Sequence, residues 1–138
     1  MNNHLTGTLP SVLGNLQNVV SFNLGGNRLR GKIPSELGKL GIVKELDLSR
    51  NGFDSLIPSE LGNLANLEVL ELDQNKLVGE IPTTLGQLTM LSELHLYQNS
   101  LTGSLPTELG ELTDLKVFEI GLNQFNGTLP VASLSKMK

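Results

Sequence analysis

The apolar positions of the chain keep a 24-residue period. Val19, Phe22 and Leu24 recur as Val43, Leu46, Leu48; Leu67, Leu70, Leu72; Leu91, Leu94, Leu96; and Leu115, Phe118, Ile120. In each set the last two apolar residues flank one polar residue, the two-residue period of a strand with one buried face. So short a strand cannot bury that face alone, and successive coils must stack to make a continuous core. The pattern therefore predicts five parallel strands at 24-residue intervals, centred near Leu24, Leu48, Leu72, Leu96 and Ile120.

After each strand comes an asparagine in the same register: Asn3, Asn27, Asn51, Asn75, Asn99 and Asn123. An amide turned inward at that point needs partners for its donors and acceptor, and the backbone of adjoining coils can supply them. The repeat thus predicts a ladder of buried asparagines. Next in each coil stands a proline (Pro10, Pro34, Pro58, Pro82, Pro106, Pro130), followed by a segment such as "IPSELGKL" from Ile33 to Leu40. Proline suits the start of a helical turn and glycine its end, while Leu37 and Leu40 share one inward face. These stretches predict 3₁₀ or single α turns, not long helices.

The stretch "LEVLELDQNKLVGEIPTTLGQL", Leu67 to Leu88, matches the pattern L-x-x-L-x-L-x-x-N-x-L-x-G-x-I-P-x-x-L-G-x-L at every defined position. With six registered copies, the chain resembles the plant-type leucine-rich repeat family over essentially its whole length. The resemblance implies an α/β solenoid, a right-handed curved superhelix with a parallel sheet on its concave side and short 3₁₀ or helical turns on its convex side. It also implies a second short strand on the flank, in the G-x-I-P section, and a binding role for the concave surface.

Residues 1–138 are read as one repeat domain with five complete strand-bearing coils and partial coils at both ends. Asn3 stands at a ladder position with no strand before it, and Lys138 ends the chain before another strand begins. Solenoids need polar caps over their terminal coils. The family usually supplies them, often with cysteine pairs, so an uncapped internal fragment of a longer protein is expected. Two other departures mark local changes. Ser55 replaces the repeat's glycine, and the neighbouring Leu56 stands where other copies are polar. In "LPVASLSKMK" the leucine arrives one residue late, at Leu134, as if one residue were inserted in the convex arc.

Composition narrows the chemistry. The net charge of −4 is scattered, which argues against nucleic acid or acidic membranes as partners. No apolar run approaches the ~20 residues of a membrane span, and "MNNHLTGTLP" lacks the regions of a signal peptide. Cysteine is absent, excluding disulfides and cysteine metal sites. Gly26 to Lys32 mimics a phosphate-binding loop, but Gly31 is the repeat's own glycine and Ile33 occupies the place of the magnesium-binding Ser or Thr. A catalytic constellation is also missing: there is no nucleophile elbow and the two histidines lie far apart, so no enzyme and no cofactor are expected.

The residues interleaved with the strand leucines are the candidates for function. They are Ser21, Asn23, Gly25; Glu45, Asp47, Ser49; Val69, Glu71, Asp73; Glu93, His95, Tyr97; and Val117, Glu119, Gly121. Six are acidic and none is Lys or Arg. Strands ~4.8 Å apart would stack Asp47, Glu71, His95 and Glu119 in one column, whose charges repel unless a cation or basic ligand offsets them. Flanking Lys44, Arg50 and Lys116 offer partial neutralisation. Tyr97, the only tyrosine, is the best single contact residue. The expected binding face is Glu45, Asp47, Glu71, Asp73, Glu93, His95, Tyr97 and Glu119, with no metal: one histidine without cysteine is a weak ligand set. The bland alternative is a solvated sheet surface. Arg28, Arg30 and Lys32 form the one basic cluster, and Asn126-Gly127-Thr128 the one glycosylation sequon, a number that thirteen asparagines give by chance.

These features favour a module that recognises a protein or peptide, a basic one by charge. The family resemblance places it in a receptor-like, cell-surface or secreted protein, with any kinase elsewhere in the parent chain. The competing reading is a structural or intracellular scaffold segment without a dedicated ligand.

Overall fold

A computed structural model describes residues 3–135. Among them, ten short strands follow one another as β1 (Thr6–Gly7), β2 (Ser21–Asn23), β3 (Arg28–Gly31), β4 (Glu45–Asp47), β5 (Gly52–Phe53), β6 (Val69–Glu71), β7 (Val78–Gly79), β8 (Glu93–His95), β9 (Ser100–Leu101) and β10 (Val117–Glu119). The even-numbered strands form one five-stranded sheet in the order β10-β8-β6-β4-β2. Every pairing in it is parallel and shifted by one repeat, as in Leu46 beside Leu70 and Leu70 beside Leu94.

Each strand is centred two residues before the expected leucine. The expected centres are the shoulders where the strand runs into the turn: Leu48 and Leu72 still donate to Glu71 and His95 carbonyls at 2.9 Å. Directly afterwards the backbone enters the left-handed region at Arg50, Gln74, Gln98 and Leu122, with φ between 52° and 55°. That turn ends the strand and brings the ladder asparagine inward.

Asn27, Asn51, Asn75, Asn99 and Asn123 are half-buried rather than fully buried, yet their amides are hydrogen-bonded at both ends, whereas Asn3 is exposed. Asn75 Nδ2 donates to the carbonyls of Leu48 at 3.0 Å, Leu72 at 3.2 Å and Asp73 at 3.2 Å, and its Oδ1 accepts the Phe53 N–H at 3.1 Å. Asn51, Asn99 and Asn123 repeat the arrangement, each donating to a carbonyl of the coil before its own. Each side chain thus ties its own turn to the preceding coil.

On the convex side, 3₁₀ turns occupy Ser11–Asn15, Ser35–Lys39, Ser59–Asn63, Thr83–Gln87 and Thr107–Glu111. Two expectations about these turns need correcting. The proline is not inside the turn but just before it, extended, with its carbonyl accepting the first bond (Leu37 N–H to Pro34, 3.1 Å). The glycine is not a terminator with positive φ. Gly38, Gly62 and Gly86 lie within the turn because a Cβ there would strike the backbone carbonyl of the next coil, at Glu60, Thr84 and Glu108 respectively. Their role is close approach between coils.

The core is leucine: Leu37, Leu40, Leu46, Leu48, Leu61, Leu70, Leu72, Leu94 and Leu96 are all fully buried. Phe22 and Leu115, nearer the ends, retain slight exposure, and Phe118 and Leu134 are only partly buried. Coil stability depends on neighbours on both sides. In the 138-residue chain, amide exchange is expected to be faster in the outer coils than around β4, β6 and β8; equal protection throughout would contradict this.

Both sequence departures have structural counterparts. The flank strands form β1-β3-β5 and, separately, β7-β9. The break falls at the coil where Ser55 stands in place of a positive-φ glycine. Lys76 N–H to Phe53 carbonyl (2.8 Å) and Val78 N–H to Ser55 carbonyl (3.1 Å) still span it, and Leu56 is 62% exposed. At the other departure, α1 (Val131–Leu134) replaces the 3₁₀ turn. Its extra residue shows in the packing: Gly86 faces Glu108, whereas Gly110 faces Ser133, one position further along.

Candidate functional site

The register of the five-stranded sheet stacks Asn23, Asp47, Glu71, His95 and Glu119 in one row. These residues, with Asp73, Tyr97, Arg50 and Gln74, line a groove of about 590 Å³ on the concave face. Six of the eight expected site residues meet there: Asp47, Glu71, Asp73, His95, Tyr97 and Glu119. Glu93 reaches it only through His95. Glu45 lies in a smaller depression with Ser21 and Val69, where it accepts the Ser21 hydroxyl at 3.0 Å.

Two small residues let the longer ones lie down. Asp47 folds back so that its Oδ1 accepts the Ser49 N–H at 2.9 Å, and its carboxylate occupies the space that a side chain at Gly25 would fill. Ser49, one of the residues interleaved with the strand leucines, lines the groove but is itself buried. Tyr97 leans over Gly121, where an added Cβ would stand 3.5 Å from the ring. It remains 37% exposed, an aromatic flank to an acidic floor.

Charge in the groove is poorly balanced. Lys44 does not neutralise the row: its Nζ pairs with Glu68 Oε1 at 2.7 Å, off the groove. Lys116 lines a separate depression beside Glu68 and Asp114. Arg50 and Gln74 are groove residues that strand alternation overlooked, since they belong to the left-handed turn after the strand. The signal was available: both immediately precede a ladder asparagine. Among the described residues, His95 is the one side chain in an ion pair with the row's carboxylates. Its Nδ1 lies 2.8 Å from Glu119 Oε2 and its Nε2 3.2 Å from Glu93 Oε2. Both acceptors are carboxylates, so only the doubly protonated imidazolium satisfies both contacts.

Two titrations follow. Glu71 is raised above its ordinary value, first by burial and then by the Asp47 charge and a hydrogen bond with Asp47, partly offset by His95. For His95, burial is the largest single effect and lowers it, but hydrogen bonds to Glu119 and Glu93 with the Glu119 and Glu71 charges outweigh burial and raise it overall. Both folded-state values lie above those of the unfolded chain. Each contribution is therefore full below the ordinary value, 6.5 for His95 and 4.5 for Glu71, and is lost as pH rises through the raised one. Acidification from mildly alkaline pH is expected to stabilise the fold modestly, and His95→Gln to remove the upper part of that dependence. Thermal melts against pH check this; an identical profile in His95→Gln would refute it.

Among the described residues, no group of three or more His, Cys, Asp or Glu is arranged to hold a metal ion, and no helix is long and apolar enough to cross a membrane.

A family described as a leucine-rich repeat region matches residues 10–138. The chain belongs to the leucine-rich repeat family. Solved structures agree. The Arabidopsis receptor kinase HAESA, in complex with the peptide hormone IDA and the co-receptor SERK1, is 45% identical to this leucine-rich repeat chain; the match covers 93% of this chain and 22% of that one, with a TM-score of 0.89. The PEPR1–AtPEP1 complex is 34% identical over 99% of this chain and 19% of that one, TM-score 0.96. A plant ice-binding protein is also 34% identical, over 88% of this chain and 39% of that one, TM-score 0.82. No curated protein sequence matches. The chain spans about a fifth of the length of the HAESA and PEPR1 chains it matches. Since the same repeat also serves an ice-binding protein, function must be argued from the site rather than the fold.

Proposed function

We propose that this leucine-rich repeat segment is a recognition module whose concave groove binds a basic peptide or a basic segment of a partner protein. The observation that carries the reading is the row Asp47–Glu71–His95–Glu119 with Asp73 at its side. These carboxylates line one groove, whose basic side chains among the described residues are His95, paired with Glu119, and Arg50. Glu71 is raised first by burial and then by the Asp47 charge, and a bound cation would relieve the second of these. Tyr97 at the edge supplies an exposed aromatic surface of the type enriched in binding hot spots. The complex of the receptor kinase HAESA with a peptide hormone and a co-receptor supports a peptide or protein partner, and its description as a receptor supports a cell-surface or secreted parent protein.

The test is calorimetric titration with short lysine- and arginine-containing peptides and with acidic peptides of equal length, over a series of salt concentrations. Basic peptides are expected to bind, with affinity falling as salt rises. Equal behaviour of the two peptide classes, or salt-independent binding, would contradict the electrostatic assignment.

A further inference from the structure

The segment from Asn123 to Thr128 holds two asparagines in opposite circumstances. Asn123 is a ladder residue: its amide donates to the Leu96 and Ile120 carbonyls at 2.8 and 3.0 Å, and its Oδ1 accepts the Leu101 N–H at 3.0 Å. Asn126 is held only by its backbone, whose N–H donates to the Gly103 carbonyl at 2.9 Å. Its side-chain amide is exposed and, among the described residues, has no hydrogen-bond partner. Gly127 follows with φ 81°, and Thr128, also exposed, completes the acceptor tripeptide.

Position in the repeat shows that this exposure is general to the face. Asn126 continues the register of Arg30, Asp54, Val78 and Thr102, of which the first three are exposed and the last half-buried. Thr128 continues that of Lys32, Leu56, Glu80 and Ser104, all exposed. In interior coils, stacked on both sides, these two positions still look outward from the flank. Side chains at the Thr128 register lean over the glycine of the following coil, as Leu56 does at Gly79 and Glu80 at Gly103. None of the positions at either register lines the groove.

We propose that Asn126 is an N-glycan acceptor, and that its glycan stands on the flank, clear of the concave groove. The occurrence of the modification rests on the cell-surface or secreted reading above. The donor is an oligosaccharide carried on a lipid diphosphate in the secretory lumen. The Asn126 amide nitrogen forms a bond to the sugar's anomeric carbon, the carbon–oxygen bond to the diphosphate breaks, and the lipid diphosphate leaves with the electron pair. The amide loses one proton to the transferase's base. No oxidation or reduction is involved.

The experiment secretes the 138-residue chain from a eukaryotic host behind a cleavable leader and measures its intact mass before and after endoglycosidase treatment without denaturation. The expected result is one glycan, removable from the folded protein, absent from Asn126→Gln and Thr128→Ala and retained in Thr128→Ser. The paired change Arg30→Asn with Lys32→Thr puts the same tripeptide around Gly31, whose φ of 80° matches that of Gly127. It is expected to add a second glycan from an interior coil. A secreted chain without glycan, a glycan that persists in Asn126→Gln, or one released only after unfolding would overturn the proposal. Loss of basic-peptide binding would sink the recognition reading while leaving these masses unchanged, so the two failures are distinguishable.

Discussion

Replacing Asn75 by leucine is expected to lower the unfolding free energy by about 3 kcal/mol or more, because it strips partners from several half-buried backbone groups at once. The amide ties the carbonyls of Leu48, Leu72 and Asp73 to the Phe53 N–H, a set spanning two coils. Leucine matches the branching but offers neither donor nor acceptor, and the left-handed turn at Gln74 (φ 53°) leaves those groups without an alternative strand to join. Urea denaturation of Asn75→Leu beside Asn63→Ala, an exposed residue at the end of a convex turn, separates ladder loss from a general effect of mutation. The control is expected to stay within about 0.5 kcal/mol of the parent. A shift in Asn75→Leu no larger than in the control would contradict the ladder's structural role.

Gly62→Ala should have an effect of similar size by a different mechanism. An added Cβ would meet the Thr84 backbone carbonyl, which cannot rotate away as a long side chain would. Relief requires prising two coils apart across the turns that carry Leu61 and Leu85, both fully buried. Overpacking of this kind costs about 2 kcal/mol or more. Gly41→Ala is the matched control: nothing lies within 4 Å of its added Cβ and its φ is not positive, so substitution should be neutral or slightly stabilising. If both glycines tolerate alanine equally, the close approach between convex turns is not what limits coil spacing.

These two residues also show how far the sequence could be read. The 24-residue register was legible because apolar periodicity and coil stacking express the same constraint, burial of one strand face against its neighbours. The same register places Asp47, Glu71, His95 and Glu119 in one row, as the strand pairing does. Details set by backbone geometry between coils were not legible. Gly62 reads as a turn terminator until the Thr84 carbonyl is seen beside it. Lys44 reads as a neutraliser of the row until Glu68 is found 2.7 Å away. Arg50 joins the groove only through a left-handed turn that propensity assigns to glycine or asparagine. Each miss is a case of a neighbouring coil deciding what a local rule would have placed otherwise.

The claim that recognition belongs to the concave groove is tested most directly by comparing three variants against one basic peptide that binds the parent chain. Tyr97→Ala and Glu71→Lys alter the groove, whereas Gln87→Ala alters an exposed residue of a convex turn. Each groove variant is expected to weaken binding tenfold or more, about 1.4 kcal/mol, while Gln87→Ala leaves it unchanged. Weakening by Gln87→Ala with both groove variants binding as the parent does would place the interface on the wrong side of the solenoid and contradict the account.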